Sequence, residues 1–211
     1  NNAPVAANNT GTINENATLS VSDGASSNDV TPLSIGTPED ISSQENVVTG
    51  LAFNPDGTKM FIVGIVTEEI NEYTLSTAWD PTSATHNRAL DVSGKEANPQ
   101  GVTFNGDGTK VYITGNDSDE IHSWSLGTAY SLVGVDATDD YVDAYNTSTT
   151  DSNPRDIRFN NDGTKMFILG GATDRVNEYT LSTAYDPSSK GSATYIDISD
   201  PGGNNYQQGM S

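Results

Sequence analysis

The chain has 211 residues, 29 Asp and Glu against 9 Lys and Arg, a net charge of −20 and no cysteine. That charge excludes binding to nucleic acid through phosphate neutralisation and docking on anionic lipid. The lack of cysteine excludes a disulfide framework and a thiolate metal site. No apolar run reaches the roughly 20 residues that cross a bilayer as a helix, so membrane insertion is not expected. The first residues, Asn1-Asn2-Ala3-Pro4, and the last, Gln207-Gln208-Gly209-Met210-Ser211, suggest a processed or excised piece of a longer protein.

In chain order, residues 1–30 differ in character from the rest of the chain and are expected to form an arm or linker. Residues 31–211 form a repeat region, opened by an apolar stretch at Pro32-Leu33-Ser34-Ile35 that reads as the last strand of a preceding unit. A phrase beginning Gly50-Leu51-Ala52-Phe53-Asn54-Pro55-Asp56-Gly57-Thr58-Lys59 returns around Phe104 and again around Phe159, at intervals of 51 and 55 residues. A second phrase, Ile70-Asn71-Glu72-Tyr73-Thr74-Leu75, returns at Ile121 and Val176 with the same intervals. Two phrases in step mark a structural repeat, with units of about 50–100, 101–155 and 156–208, and such periods belong to solenoids or propellers.

Each unit reads as strands. Leu51 to Phe53 is a short apolar stretch. Asn54 to Gly57 has turn chemistry, and Met60 to Val63 is a β-rich run. Asn71 to Leu75 alternates, with Tyr73 and Leu75 on one face and Glu72 and Thr74 on the other. Fourth strands are expected at Ala89–Val92 and at Ala193–Ile198, with Ser, Thr, Asn, Asp and Gly clusters as loops. The fold expected is all-β: about three four-stranded antiparallel propeller blades in an incomplete ring. Three blades do not enclose a channel, so further blades are expected from the same longer chain or from a homo-oligomer.

The motif Phe-Asn-x-Asp-Gly-Thr-Lys, with an apolar strand and then Val/Ile-x-x-Tyr-x-Leu after it, resembles the YVTN/lactonase-like β-propeller repeat over residues 50–199. The resemblance implies blades of four antiparallel strands around a central channel. Leu-Ser-Thr-Ala-Trp/Tyr-Asp-Pro, at 75–81 and 181–187, resembles repeats of large bacterial surface proteins and phage tail fibres. Residues 3–21 resemble the start of cadherin-like or VCBS adhesin modules, with Asn9 and Asn16 where those carry acidic residues.

Asp56-Gly57, Asp107-Gly108 and Asp162-Gly163 read first as structural hairpin turns; Asn54 and Asp56 also have the spacing of two ligands of a calcium loop. Hard cations take several carboxylate oxygens, so the acidic clusters are the better calcium candidates: Asp117, Asp119 and Glu120, and Asp136, Asp139 and Asp140. The competing reading is a solvated acidic face. Trp79, Tyr130 and Tyr185 occupy equivalent positions and read as packing residues or as rings for stacking on a glycan. His86 and His122 are the only imidazoles, at non-equivalent positions, and no nucleophile-elbow motif accompanies them.

The function expected from these features is a non-catalytic extracellular module that presents propeller loops to glycan or a cell-surface protein, with calcium as a candidate bridge and no other cofactor. The alternative is a structural repeat of a phage tail fibre or surface filament, placing the chain on a cell or virion surface. A lactonase-type enzyme ranks behind both.

Overall fold

The computed structural model describes residues 40–199. The expected strand at Pro32–Ile35, the adhesin-like segment 1–30 and the last residues of the third repeat lie outside that range. Within it, twelve strands form three four-stranded antiparallel sheets, each in sequential order. The first sheet holds β1 (Val48–Phe53), β2 (Lys59–Gly64), β3 (Glu69–Leu75) and β4 (Ala84–Asp91). The second holds β5 (Pro99–Phe104), β6 (Lys110–Gly115), β7 (Glu120–Ser125) and β8 (Tyr141–Asn146). The third holds β9 (Pro154–Phe159), β10 (Lys165–Gly170), β11 (Arg175–Thr180) and β12 (Thr194–Asp197). First strands lie beside one another, β1 against β5 and β5 against β9, as in propeller blades. The expected blades are present. β4 starts five residues earlier than the apolar pattern indicated, because polar Thr85 to Arg88 also pair with β3.

Every residue of the recurring turn has a role. In the first blade Thr58 N and Oγ1 both donate to Asp56 Oδ1, at 3.0 and 2.6 Å, and Lys59 N donates to Asn54 Oδ1 at 2.8 Å. Gly57 has φ +70, and Gly108 and Gly163 repeat this at +71 and +69. The same bonds recur in the other two turns. Trp79, Tyr130 and Tyr185 then clamp these turns. The backbone N–H of each donates to the turn glycine's carbonyl at 2.8–2.9 Å, and each ring lies where a glycine Cβ would be. This explains why Ser/Gly-Thr-Ala-Trp/Tyr travels with Asp-Gly at a fixed distance: the loop after the third strand is pinned to the hairpin between the first two.

The second blade is buried on both faces. Phe61, Val63, Ile70 and Leu90 of the first blade pack with Val102, Val111, Ile113 and Trp124 of the second in one core. Tyr112 and Ile121 of the second pack with Ile157, Met166, Ile168 and Tyr179 of the third in another. Phe61 meets Phe104, and Tyr112 meets Phe159, with ring centroids 4.5 and 4.8 Å apart. Burying about 25 cal/mol per Å² of apolar surface on two faces is what makes such thin sheets stable. Phe167, Val176 and Ile196, the third-blade equivalents of Phe61, Ile70 and Leu90, are less covered; Ile196 is 69% exposed where Leu90 is 3%.

Gly108→Ala is expected to cost about 2 kcal/mol or more, since it combines left-handed backbone with a Cβ placed 2.2 Å from the Tyr130 ring. Gly94→Ala and Gly127→Ala, whose new Cβ atoms meet nothing within 4 Å, are expected to be near neutral in the same urea unfolding series.

Candidate functional site

The blades have two ends with different chemistry. At one end lie the aromatic-clamped turns. Trp79, Tyr130 and Tyr185 are brought together around a shallow cleft of about 370 Å³, with Phe53, Phe104 and Phe159 beside them. Each ring proposed for glycan stacking is thus engaged by its own turn. Tyr130 and Tyr185 also donate their hydroxyls to backbone carbonyls of the cleft wall.

At the other end, a buried carboxylate ties the loop entering each blade to the turn between its second and third strands. Glu96 Oε1 accepts from Asn98 N at 2.8 Å and Asp117 N at 3.0 Å, and Oε2 accepts from Ser118 N and Oγ at 3.2 and 2.6 Å. Glu45 and Asp151 do the same in the first and third blades. Burial pushes the Glu45 carboxyl up, and the N–H groups of Val47, Thr67 and Val66 with the Thr67 hydroxyl outweigh it and hold it below its ordinary value. Gly64, Gly115 and Gly170 close their strands because a Cβ there would strike these carboxylates. Sequence reasoning passed over all three acids, since one is Asp, two are Glu and the surrounding loops differ. The faint signal was the pairing of an acid with an Asn one or two residues on, shortly before each first strand.

The calcium candidates separate between these two ends. Asp117 contributes its backbone N–H to Glu96, and Asp119 takes left-handed backbone at φ +56, as Glu68 and Asp174 do at the equivalent turn position. Asp136 accepts from Thr138 N and Asp139 N, and Asp140 Oδ2 accepts from Asp136 N, so those carboxylates organise their own loop. Among the described residues no group of three or more His, Asp or Glu side chains is arranged to hold a metal ion.

His122 sits beside the Glu96 latch and is 2% exposed. Its Nε2 is 3.0 Å from Ser118 Oγ and its Nδ1 is 3.1 Å from Tyr141 Oη. With Ser118 donating to Glu96, the consistent arrangement is a neutral imidazole that donates from Nε2 to Ser118 and accepts at Nδ1 from Tyr141. Burial lowers the His122 proton affinity; Glu120, 3.8 Å away, and Glu96 oppose this, and Lys95 adds to it. Burial, with Glu120 and Asp143, raises the Tyr141 hydroxyl to about 12, so it remains a donor. His86 stands apart, 3.0 Å from Asn71, the first-blade equivalent of His122.

The innermost strand of the third blade, β9, carries two arginines that reach back one blade. Arg155 Nη1 donates to Gln100 Oε1 at 3.1 Å; Arg158 Nη1 donates to Asp156 Oδ1 at 2.9 Å and to Val102 O at 3.1 Å. Asp156 replaces the glycine found at 50 and 101. Gln100 in turn is held by Asn98, with Nε2 donating to Asn98 Oδ1 at 2.5 Å. Arg155 has no carboxylate within ion-pair distance among the described residues, in a chain with 29 acidic side chains. These arginines form no basic run in the sequence; both lie on β9, and the fold sets them against Gln100 and Val102 of β5.

No protein-family model matches the chain, and no curated protein matches it. Solved structures do. A protein of Bacteroides uniformis provisionally assigned as a 6-phosphogluconolactonase aligns with a TM-score of 0.50 at 14% identity, over 77% of this chain and 45% of its own. The periplasmic gluconolactonase of Pseudomonas aeruginosa aligns with a TM-score of 0.50 at 12% identity, over 70% of this chain and 39% of its own. The chain therefore spans less than half the length of these proteins, and the likeness establishes a lactonase-like propeller fold. It also corrects the expectation of a non-catalytic adhesive or filament module, because the proteins of matching fold are named for enzymes that act on lactones. Among the described residues no helix is long and apolar enough to cross a membrane.

Two outcomes are expected. Glu96→Gln, which puts an amide N–H against backbone donors, should cost roughly 2–3 kcal/mol in urea unfolding. His122 binds its proton less readily folded than unfolded, so its contribution is complete above about pH 6.5 and declines as pH falls below that value. The melting temperature of the parent should therefore fall relative to that of His122→Asn between pH 7 and 5, with the two curves parallel above pH 7.

Proposed function

We propose that the chain contributes three consecutive blades to a lactone-hydrolysing propeller whose remaining blades come from the same longer chain. The observation that carries the reading is the Arg155 guanidinium. It sits on an inner strand, is oriented by Gln100 and is not neutralised by a carboxylate. Hydrolysis of a lactone builds negative charge on the carbonyl oxygen as water adds. A fixed guanidinium, always protonated and with several N–H donors, stabilises that charge more than it stabilises the substrate. Gln100 and Asn98 hold the guanidinium in place, and the Glu96 latch holds the loop that carries Asn98. His122 lies too deep to meet a substrate and acts on the rigidity of the same loops. A setting outside the cytoplasm fits the lack of cysteine and the periplasmic location of one structural neighbour.

The test is acid release from aldonolactones, monitored by pH-stat with the protein in its full natural length. Turnover is expected, with Arg155→Gln lowering kcat/KM by on the order of 10² while KM changes little. Release no faster than in buffer alone would end this reading.

A further inference from the structure

The polar contacts between blades come in two matched sets, and the third blade carries one of them with no partner among the described residues. In the first blade Lys59 and Glu72 pair at 2.7 Å, and Glu72 is fully buried. Lys59 Nζ donates to Tyr130 O of the second blade at 2.8 Å, and Glu72 Oε2 accepts from Leu132 N at 2.6 Å. A carbonyl and an N–H two residues apart are thus gripped by an ammonium and a carboxylate.

The second blade meets the third differently. The Glu72 position is Ser123, and the Phe61 position is Tyr112, whose hydroxyl donates to Tyr185 O at 2.7 Å. Two residues beyond Tyr185 stands Pro187, which has no N–H to offer. A carboxylate on the second blade would face proline with no donor, and the chain has none there. Carboxylate goes with N–H, and serine with proline.

The third blade returns to the first set. Lys165 and Glu178 pair at 2.7 Å, and Phe167 replaces the tyrosine. Here the pair is 45% and 35% exposed, and Glu178 Oε2 makes no bond among the described residues. Phe167, Val176 and Ile196, whose equivalents in the first blade are buried by the second, lie on the same face.

We infer that this face receives a further blade of the second blade's type, with an aromatic residue in the place of Tyr130 and a residue other than proline in the place of Leu132. The inference rests on the reading that further blades complete the propeller, and it adds which kind. A second copy of this chain docking through its first blade is disfavoured by Trp79-Asp80-Pro81, which offers proline at the position where Glu178 needs an N–H.

The rule is tested first inside the chain. Leu132→Pro, which also removes a buried core side chain, should lower the melting temperature more than Leu132→Ala in the parent, and the two should be equal in Glu72→Ser. Ser123→Glu should lower it in the parent, and Pro187→Ala should recover most of the loss. Additive effects in both pairs would overturn the inference. The face is then tested by appending residues 104–147 after Ser211, to supply a second-type blade, or residues 159–199, to supply a third-type blade. The 104–147 extension should raise the melting temperature, and Glu178→Ser should remove that gain while leaving the unextended chain unchanged. The 159–199 extension should gain only in the Glu178→Ser background. Equal gains without dependence on Glu178 would overturn this inference alone. No gain from either extension would overturn it together with the reading that further blades are needed. Dimers of the unextended chain that dissociate on Phe167→Asp would overturn it in favour of a second copy.

Discussion

Everything in this molecule depends on burying each thin sheet from both sides. A four-stranded sheet with one apolar face has the usual helix or sheet to lie against, but these sheets are apolar on both faces, and both faces need cover. The second blade has that arrangement, with Trp124 fully buried toward the first blade and Ile121 toward the third. The short turns, the aromatic clamps and the carboxylate latches keep each sheet in the shape that lets its neighbours fit.

Burial on two faces also changes what the charged residues do. In a chain of net charge −20, Glu45, Glu72, Glu96 and Asp151 are all nearly or fully buried, and each is surrounded by N–H and O–H donors or paired with lysine. Such carboxylates act as multi-point acceptors for loops that have no ladder to join, and their cost of desolvation is met by three or four hydrogen bonds apiece. The surplus of acid that first looked like a solvated surface is in part a set of internal fasteners. Arg155, with no acid partner among the described residues, is held instead by the Gln100 side chain.

Much of the fold was legible in the sequence, because Asn-x-Asp-Gly-Thr-Lys and its aromatic companion are local devices whose residues act within one blade. The turns and the strand order came from them. What was not legible depends on contacts between units. Ser123 and Pro187 are 64 residues apart and their relation shows only when two blades are laid together. Gln100 and Arg155 are likewise brought together by adjacent inner strands. For the aromatic residues, whose recurrence read as packing or as rings for a glycan, the contact that the sequence did not name is the turn glycine each one covers. The lactonase-like fold that the comparisons show was carried by the repeat motif itself, whereas no catalytic residue was legible in it.

The central claim, that stability resides in blade-to-blade burial, is tested most directly by native-state hydrogen exchange resolved to single amides. The slowest exchange is predicted in β6 and β7 of the doubly covered second blade, near the limit set by global unfolding. Far faster exchange, through local opening, is predicted in β11 and β12, whose outer face carries Ile196 at 69% exposure. Equal protection across all three blades, or protection of β12 matching that of β7, would contradict it.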